Sequence, residues 1–154
     1  MVNKELKVFP YSLRPAKQSD APYLIATLMT QLHEHYLKKF PMAVASFFLR
    51  PAINLLLGSC RVIIIRDTEY PDLHLGFAIY SLPDDKVVKV PTLFYIYVKN
   101  TYRKNGIAGD VVRKIFQNEP FQAALISSVG YQYLSKWNAT LDPSGLSCLT
   151  GGKK

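Results

Sequence analysis

The stretch Leu93-Phe-Tyr-Ile-Tyr-Val98, followed by Lys99-Asn-Thr-Tyr-Arg103-Lys-Asn-Gly106-Ile-Ala108-Gly109, decides how this chain is read. Its first six residues are aromatic, β-branched or leucine and carry no charge. That pattern predicts a strand buried on both faces, and so a central one. After Gly106, the residues Ile107, Val111, Val112, Ile115 and Phe116 recur at helical spacing, with Asn118 to Pro120 as the stop. A strand, a basic loop, a glycine and a helix together suit an anion. The first amides of a helix lack intrahelical acceptors and carry the positive end of its dipole. Gly106, Ala108 and Gly109 keep bulky side chains out of the approach, and Lys99, Arg103 and Lys104 add positive charge. The ligand predicted here is a phosphate or pyrophosphate lying over residues 103 to 109. The spacing lacks both GxxxxGK[ST] and GxGxxG, so neither a nucleoside-triphosphate loop nor a dinucleotide fingerprint is supported.

Outward from this segment the chain alternates strand and helix patterns. Val8 to Leu13 reads as a first strand. Ser19 and Asp20 offer an N-cap and Pro22 a helix start, and Leu24, Ile25, Leu28, Leu32 and Tyr36 form one stripe, so a helix is expected over 20–36. Pro41 to Leu57 reads as a second helical region, split or kinked at Pro51 and stopped by Gly58. Met42 to Gly58 is the most apolar stretch and is expected to be core, because Arg50 and Pro51 interrupt it and it is short for a bilayer span. Strands are expected at Arg61–Arg66 and Leu75–Leu82, with a turn at Pro83-Asp84-Asp85. A further strand is expected at Ala123–Val129, then a short helix at Tyr131–Trp137. The order β-α-α-β-β-β-α-β-α, with room for a short terminal strand, describes an α/β fold with a mixed, mostly antiparallel central sheet flanked by helices.

At 154 residues the chain is expected to form a single domain over 1–154, with a tail of small and turn-forming residues from about Asp142. Hydrophobic residues make up 49% and charged residues 19%, which excludes a disordered or fibrous chain. The formal net charge of +8 favours acidic partners, among them nucleic acid, an anionic surface or a polyphosphate cofactor. Cys60 and Cys148 have no metal spacing, and idle thiols in a reducing, cytoplasmic compartment are the expectation. His33-Glu34-His35 is not a zinc motif, because residues two apart on a helix do not share a face, and no metal is expected.

Arg103-Lys-Asn-Gly106-Ile-Ala108 fits Q/R-x-x-G-x-G/A, and with the element order over most of the chain it resembles the GNAT (GCN5-related N-acetyltransferase) superfamily. Leu13-Arg14-Pro15-Ala16 before a helix is similar to that family's opening. The resemblance implies acetyl-CoA as cofactor and transfer of its acetyl group directly to an amine of a small molecule or protein. Ile96, Tyr97 and Val98 would present backbone groups to the pantetheine arm where the sheet splays. Amides of Arg103, Lys104, Asn105, Gly106, Ile107, Ala108 and Gly109 would hold the pyrophosphate, and an N–H near Val98 would steady the oxyanion. The acid–base candidates are Tyr133 on the late helix, His74 at a strand start and Glu34 in the region that lines the acceptor cleft in the family. The fourth strand carries no acid, and Ser127 and Ser128 stand where the family has an asparagine. Two alternatives stay open: a phage-type GNAT-like protein that modifies a nucleic-acid base, and a non-catalytic CoA-binding module. A homodimer through sheet edges is a further expectation, and no membrane partner is expected.

Overall fold

A computed structural model describes residues 10–86, 88–103, 105–124 and 139–141. Six strands form one sheet in the order β1-β2-β3-β4-β5-β6: Tyr11–Pro15, Arg61–Asp67, His74–Ser81, Thr92–Val98, Phe121–Ala123 and Ala139–Leu141. The first four are antiparallel, and β4, β5 and β6 run parallel. Helices α1 (Ala21–Tyr36) and α2 (Met42–Ser59) join β1 to β2, and α3 (Ile107–Phe116) joins β4 to β5. This is the mixed, mostly antiparallel sheet expected, and the short terminal strand is present as β6. The expected helix at 131–137 and the tail lie outside the described residues.

Alternation along β3 and β4 sends side chains to two cores. Leu24, Leu28 and Leu32 of α1 and Leu49, Ile53 and Leu56 of α2 meet Ile64, Phe77 and Ile79 on one face. On the other face, Ile107 and Val111 of α3 meet Ile65, Leu75, Ala78 and Val98. Val112, Phe116, Phe121 and Leu93 close the end of that layer, with the Phe116 and Phe121 rings stacked 4.1 Å apart. Burying each of these large side chains contributes roughly 1.5–3 kcal/mol. The β3–β4 register shifts between Ile79 and Tyr80, so that Phe94 is an extra residue in β4. This β-bulge puts consecutive residues, Phe94 and Tyr95, into the same core.

Five sequence expectations need correction. The first strand runs from Tyr11 to Pro15, beyond the expected end at Leu13, because Arg14 and Pro15 still pair with Ile64 and Ile63 of β2. Asp20 does flank α1, but its carboxylate does not cap that helix; it turns back to the Lys17 N–H and to Arg14. Helix α2 is continuous through Pro51 and Gly58 to Ser59. Pro51 leaves the Phe47 carbonyl without its helical donor, but both residues are exposed and water can replace the bond. The apolar stretch 42–58 is also only partly core: Ala45, Leu49, Ile53 and Leu56 are buried, whereas Met42, Val44, Phe47 and Phe48 face solvent. Finally, β5 starts at Phe121, earlier than expected, drawn into place by the Phe116 ring, and its described part ends at Ala123.

Gly76 is where β3 and β4 approach too closely for a side chain. A Cβ there would lie 1.9 Å from the Tyr97 carbonyl oxygen, a backbone atom that cannot swing aside. Gly76→Ala is therefore expected to lower unfolding stability by about 1–3 kcal/mol or more, read from urea denaturation midpoints, and to distort the end of β4.

Candidate functional site

Among the described residues, β4 and β5 share a short stretch of parallel ladder. Thr92 and Leu93 oppose Gln122 and Ala123, and the last described bond runs from the Ala124 N–H to the Leu93 carbonyl. Towards Val98, β4 continues with β3 on its other side. The Lys99 N–H donates to the Leu75 carbonyl, so Lys99 faces β3. The Val98 carbonyl instead accepts from Arg103 Nε at 2.8 Å, so it faces away from β3. A residue's N–H and C=O point the same way along an antiparallel ladder, and neighbours alternate. The backbone groups of Ile96 and Val98 therefore face away from β3, and those of Tyr97 face it.

Beyond the strand, one 3-10 turn at Asn100–Tyr102 leads to Gly106, the N-cap of α3, with φ at 76°. That left-handed conformation is why glycine occupies the position. No side chain caps the helix, and its first backbone bond runs from the Asp110 N–H to the Gly106 carbonyl at 3.1 Å. The amides of Ile107, Ala108 and Gly109 precede that bond. Arg103 is fixed beside them, with its guanidinium carbon 5.8 Å from the centroid of the Tyr97 ring. Asn105 is exposed, and its side-chain nitrogen donates to the Tyr102 carbonyl at 3.1 Å. Lys104 lies outside the described residues. Strand and turn thus place the backbone of Ile96 and Val98 and the amides of Ile107, Ala108 and Gly109 at one end of the sheet, whereas two expected donors are used within the fold: the Tyr97 backbone faces β3, and the Arg103 N–H donates to the Asn100 carbonyl at 3.2 Å.

Asp110, in the first turn of α3, would oppose an anion if it were free. It is not: its carboxylate accepts from the Tyr11 phenol and meets Arg113 and Lys114, each at 3.4 Å. Burial pulls its pKa up, but the Tyr11 hydrogen bond and the two cations outweigh this and leave it below the ordinary value. Burial and the same hydrogen bond hold the Tyr11 phenol protonated.

On the α1 side of β4 lies a row of aromatic and charged groups. The Tyr97 and Phe77 rings are 5.6 Å apart, Phe77 and Tyr23 6.0 Å, and Tyr23 and His74 4.9 Å. Arg14 reaches the same place, with one terminal nitrogen 3.4 Å from His74 Nε2 and both terminal nitrogens bridged to Asp20 at 2.7 and 2.8 Å. His74 Nε2 thus faces a cation that can only donate. The Tyr23 hydroxyl is buried without a partner among the described residues, and burial, then Tyr97 and Asp20, push its pKa up to about 12. It is a donor at neutral pH, not a base.

Of the acid–base candidates, His74 and Glu34 are not brought together. His74 lies in the row described above. Glu34 is exposed and eleven positions beyond Tyr23 on α1, about 16 Å along the helix axis. Tyr133 lies outside the described residues. Asp85 is a turn residue, as its setting suggested: it accepts from the Leu82 N–H at 3.0 Å and pairs with Arg61 at 2.6 Å. Sequence reasoning missed Arg14, Asp20 and Tyr23 as a group. Their only signal was a lone arginine on the first strand, an acid six residues later at the helix entry, and a tyrosine next to the apolar stripe.

No family model and no curated protein matches the chain. Solved structures do resemble it. A predicted acetyltransferase with acetyl-CoA from Clostridium acetobutylicum superposes with a TM-score of 0.56 at 13% identity, over 86% of this chain and 92% of that one. A ribosomal-protein-alanine N-acetyltransferase from Brucella melitensis biovar Abortus 2308 gives 0.52 at 20% identity, over 86% and 94%. A possible acetyltransferase from Clostridium difficile 630 gives 0.52 at 15%, over 83% and 87%. The chain has the GNAT fold.

The Arg14–Asp20 pair anchors α1 to β1. Arg14, together with the Lys17 N–H, lowers the Asp20 pKa to about 2 against the pull of burial. A carboxylate whose folded pKa lies below its unfolded value stabilises the fold above about pH 4 and loses that contribution as pH falls toward 2. Asp20→Asn is expected to cost about 2 kcal/mol at neutral pH, with the deficit shrinking toward pH 2, read from denaturation midpoints against pH.

Proposed function

We propose that this GNAT-fold chain binds acetyl-CoA along β4 and the α3 entry and transfers the acetyl group to an amine of a small molecule or protein. The observation that carries this reading is the joining of two features at one end of the sheet. One is a β4 edge that faces away from β3 at Ile96 and Val98; the other is an α3 turn whose Ile107, Ala108 and Gly109 amides have no place in the helical ladder. Resemblance to an acetyltransferase solved with acetyl-CoA supports it at the level of fold.

The residues fit that ligand. Amides at 105–109, with Arg103 and Lys99 beside them, suit a diphosphate. Ile96 and Val98 offer the pantetheine arm the backbone pairing that a further strand would take. The cofactor supplies an activated acyl thioester; the chain supplies position, and the Val98 N–H is the donor for charge developing on the acyl oxygen. The amine must arrive without its proton. Asp20 and Asp110 are held by their own cations, so neither is a ready base. His74, Tyr133 and Glu34 are the proposed acid–base residues, and His74 lies on β3, the strand beside β4, with its Nε2 3.4 Å from Arg14.

Acetyl-CoA should raise the thermal midpoint, with about 2.7 kcal/mol of protection at a hundredfold excess over Kd, while ATP and NAD should not. Gly106→Glu should abolish that shift, although its positive φ makes the substitution costly to the fold as well. Ala108→Glu, which places a carboxylate in the first helical turn without that backbone strain, should do the same. Retained protection in both variants would refute the site. Against an amine panel, CoA release should be detectable, and His74→Ala should cut kcat by about a hundredfold or more.

A further inference from the structure

Residues 38–50 carry a surface to which the proposed cofactor site assigns no role. Phe40, Met42, Val44, Phe47 and Phe48 are exposed, Phe47 by 78% and Phe48 by 63%. The last two pack edge-to-face on each other, 5.6 Å between centroids, and project from the outer side of α2. Exposed Lys38, Lys39 and Arg50 flank them, and no acidic residue occurs in sequence between Glu34 and Asp67. Five large apolar side chains flanked by Lys38, Lys39 and Arg50 are not an ordinary solvated face, although exposed Glu34 follows His33, whose ring meets the Phe40 carbonyl at 2.7 Å.

We infer that this face docks onto an anionic lipid bilayer surface, with α2 lying in the interface plane. The inference is independent of the acyl-transfer reading. Charge complementarity selects the occupant. A second copy laid face to face would bring Lys38, Lys39 and Arg50 against their equivalents, which is repulsive. A single-stranded nucleic acid would satisfy the cations, but Met42 and Val44 offer it no stacking. An anionic bilayer satisfies both halves: acyl chains and the headgroup boundary take the phenylalanines and aliphatics, and headgroup phosphates take the cations. The face is a convex helix flank with protruding rings, which suits insertion more than reception of a peptide. By length and composition α2 could also cross a membrane. Its inner stripe, Ala45, Leu49, Ile53 and Leu56, is already buried against α1 and the sheet, so it lies on the bilayer and does not span it.

The test is flotation of the full chain with vesicles of phosphatidylcholine, with and without about one-third phosphatidylglycerol. Binding is expected only to the anionic vesicles and should weaken as salt rises. The K38Q/K39Q variant should bind about 25-fold more weakly, at roughly fivefold per lysine. The F47S/F48S variant should lose at least about tenfold, with an unchanged thermal midpoint because both rings are exposed. Tyr70→Ser, which removes an exposed aromatic on the β2–β3 turn, should bind like the parent. If F47S/F48S fails to fold, the lysine variant still decides, as does a blue shift of F47W fluorescence on anionic vesicles alone. Equal behaviour with neutral and anionic vesicles would overturn the proposal. So would self-association that depends on Phe47 and Phe48 in sedimentation velocity, or retention of a single-stranded oligonucleotide through this face in place of vesicles.

Discussion

Val98 directs its carbonyl away from β3, and the candidate site depends on that orientation. The oxygen is held by the Arg103 side chain, not by a sheet partner, while the neighbouring Lys99 amide completes the β3 ladder. Alternation then sends the Ile96 backbone outward as well. One arginine thereby satisfies a strand carbonyl, stacks against Tyr97 and carries positive charge to the turn before α3. Gly76 permits this arrangement from the other side, since only a residue without Cβ can lie beneath the Tyr97 carbonyl. The bulge at Phe94 changes the facing of the strand just before this end is reached. Strand, glycine and arginine work as one constraint on where free backbone donors appear.

The charged groups around this end are paired so that the fold does not compete with a ligand for them. Asp110 is neutralised by Tyr11, Arg113 and Lys114, which leaves the helix entry without an uncompensated negative charge. Arg14 is committed to Asp20, and through it α1 is tied to β1 and to His74 on β3. The aromatic row from Tyr23 to Tyr97 links that anchor to the β4 edge by direct ring contact. The α1 anchor is therefore joined to β4 by packed rings.

Helix α2 serves two environments. Its inner residues recur at four- and three-residue intervals and complete the core, while its outer, N-terminal half presents aromatic and aliphatic side chains to solvent beside cations. A helix buried all round would need no lysines at its entry and would not place Pro51 mid-span. That combination separates α2 from an ordinary core helix and gives this face of the molecule a chemistry distinct from the β4 end.

The element order across the described residues, the central place of β4 and the glycine at the α3 entry were legible in the sequence, because each rests on local patterns: an uncharged apolar run, helical spacing after Gly106, and glycine before a helix. The same locality explains the misreadings. Pro51 and Gly58 look like breaks until the outer side of α2 proves open to water, and hydrophobicity alone could not say which side of that helix is covered. The end of β1 at Pro15 and the start of β5 at Phe121 were set by cross-strand pairing and by the Phe116 ring, both supplied by distant residues. Likewise, no one-dimensional spacing brings Arg14 to His74 or Tyr11 to Asp110, which lie 60 and 99 positions apart. Short-range order follows from backbone sterics and side-chain periodicity; the direction of the Val98 carbonyl and the company kept by each charge are properties of packed layers, and only the tertiary structure decided them.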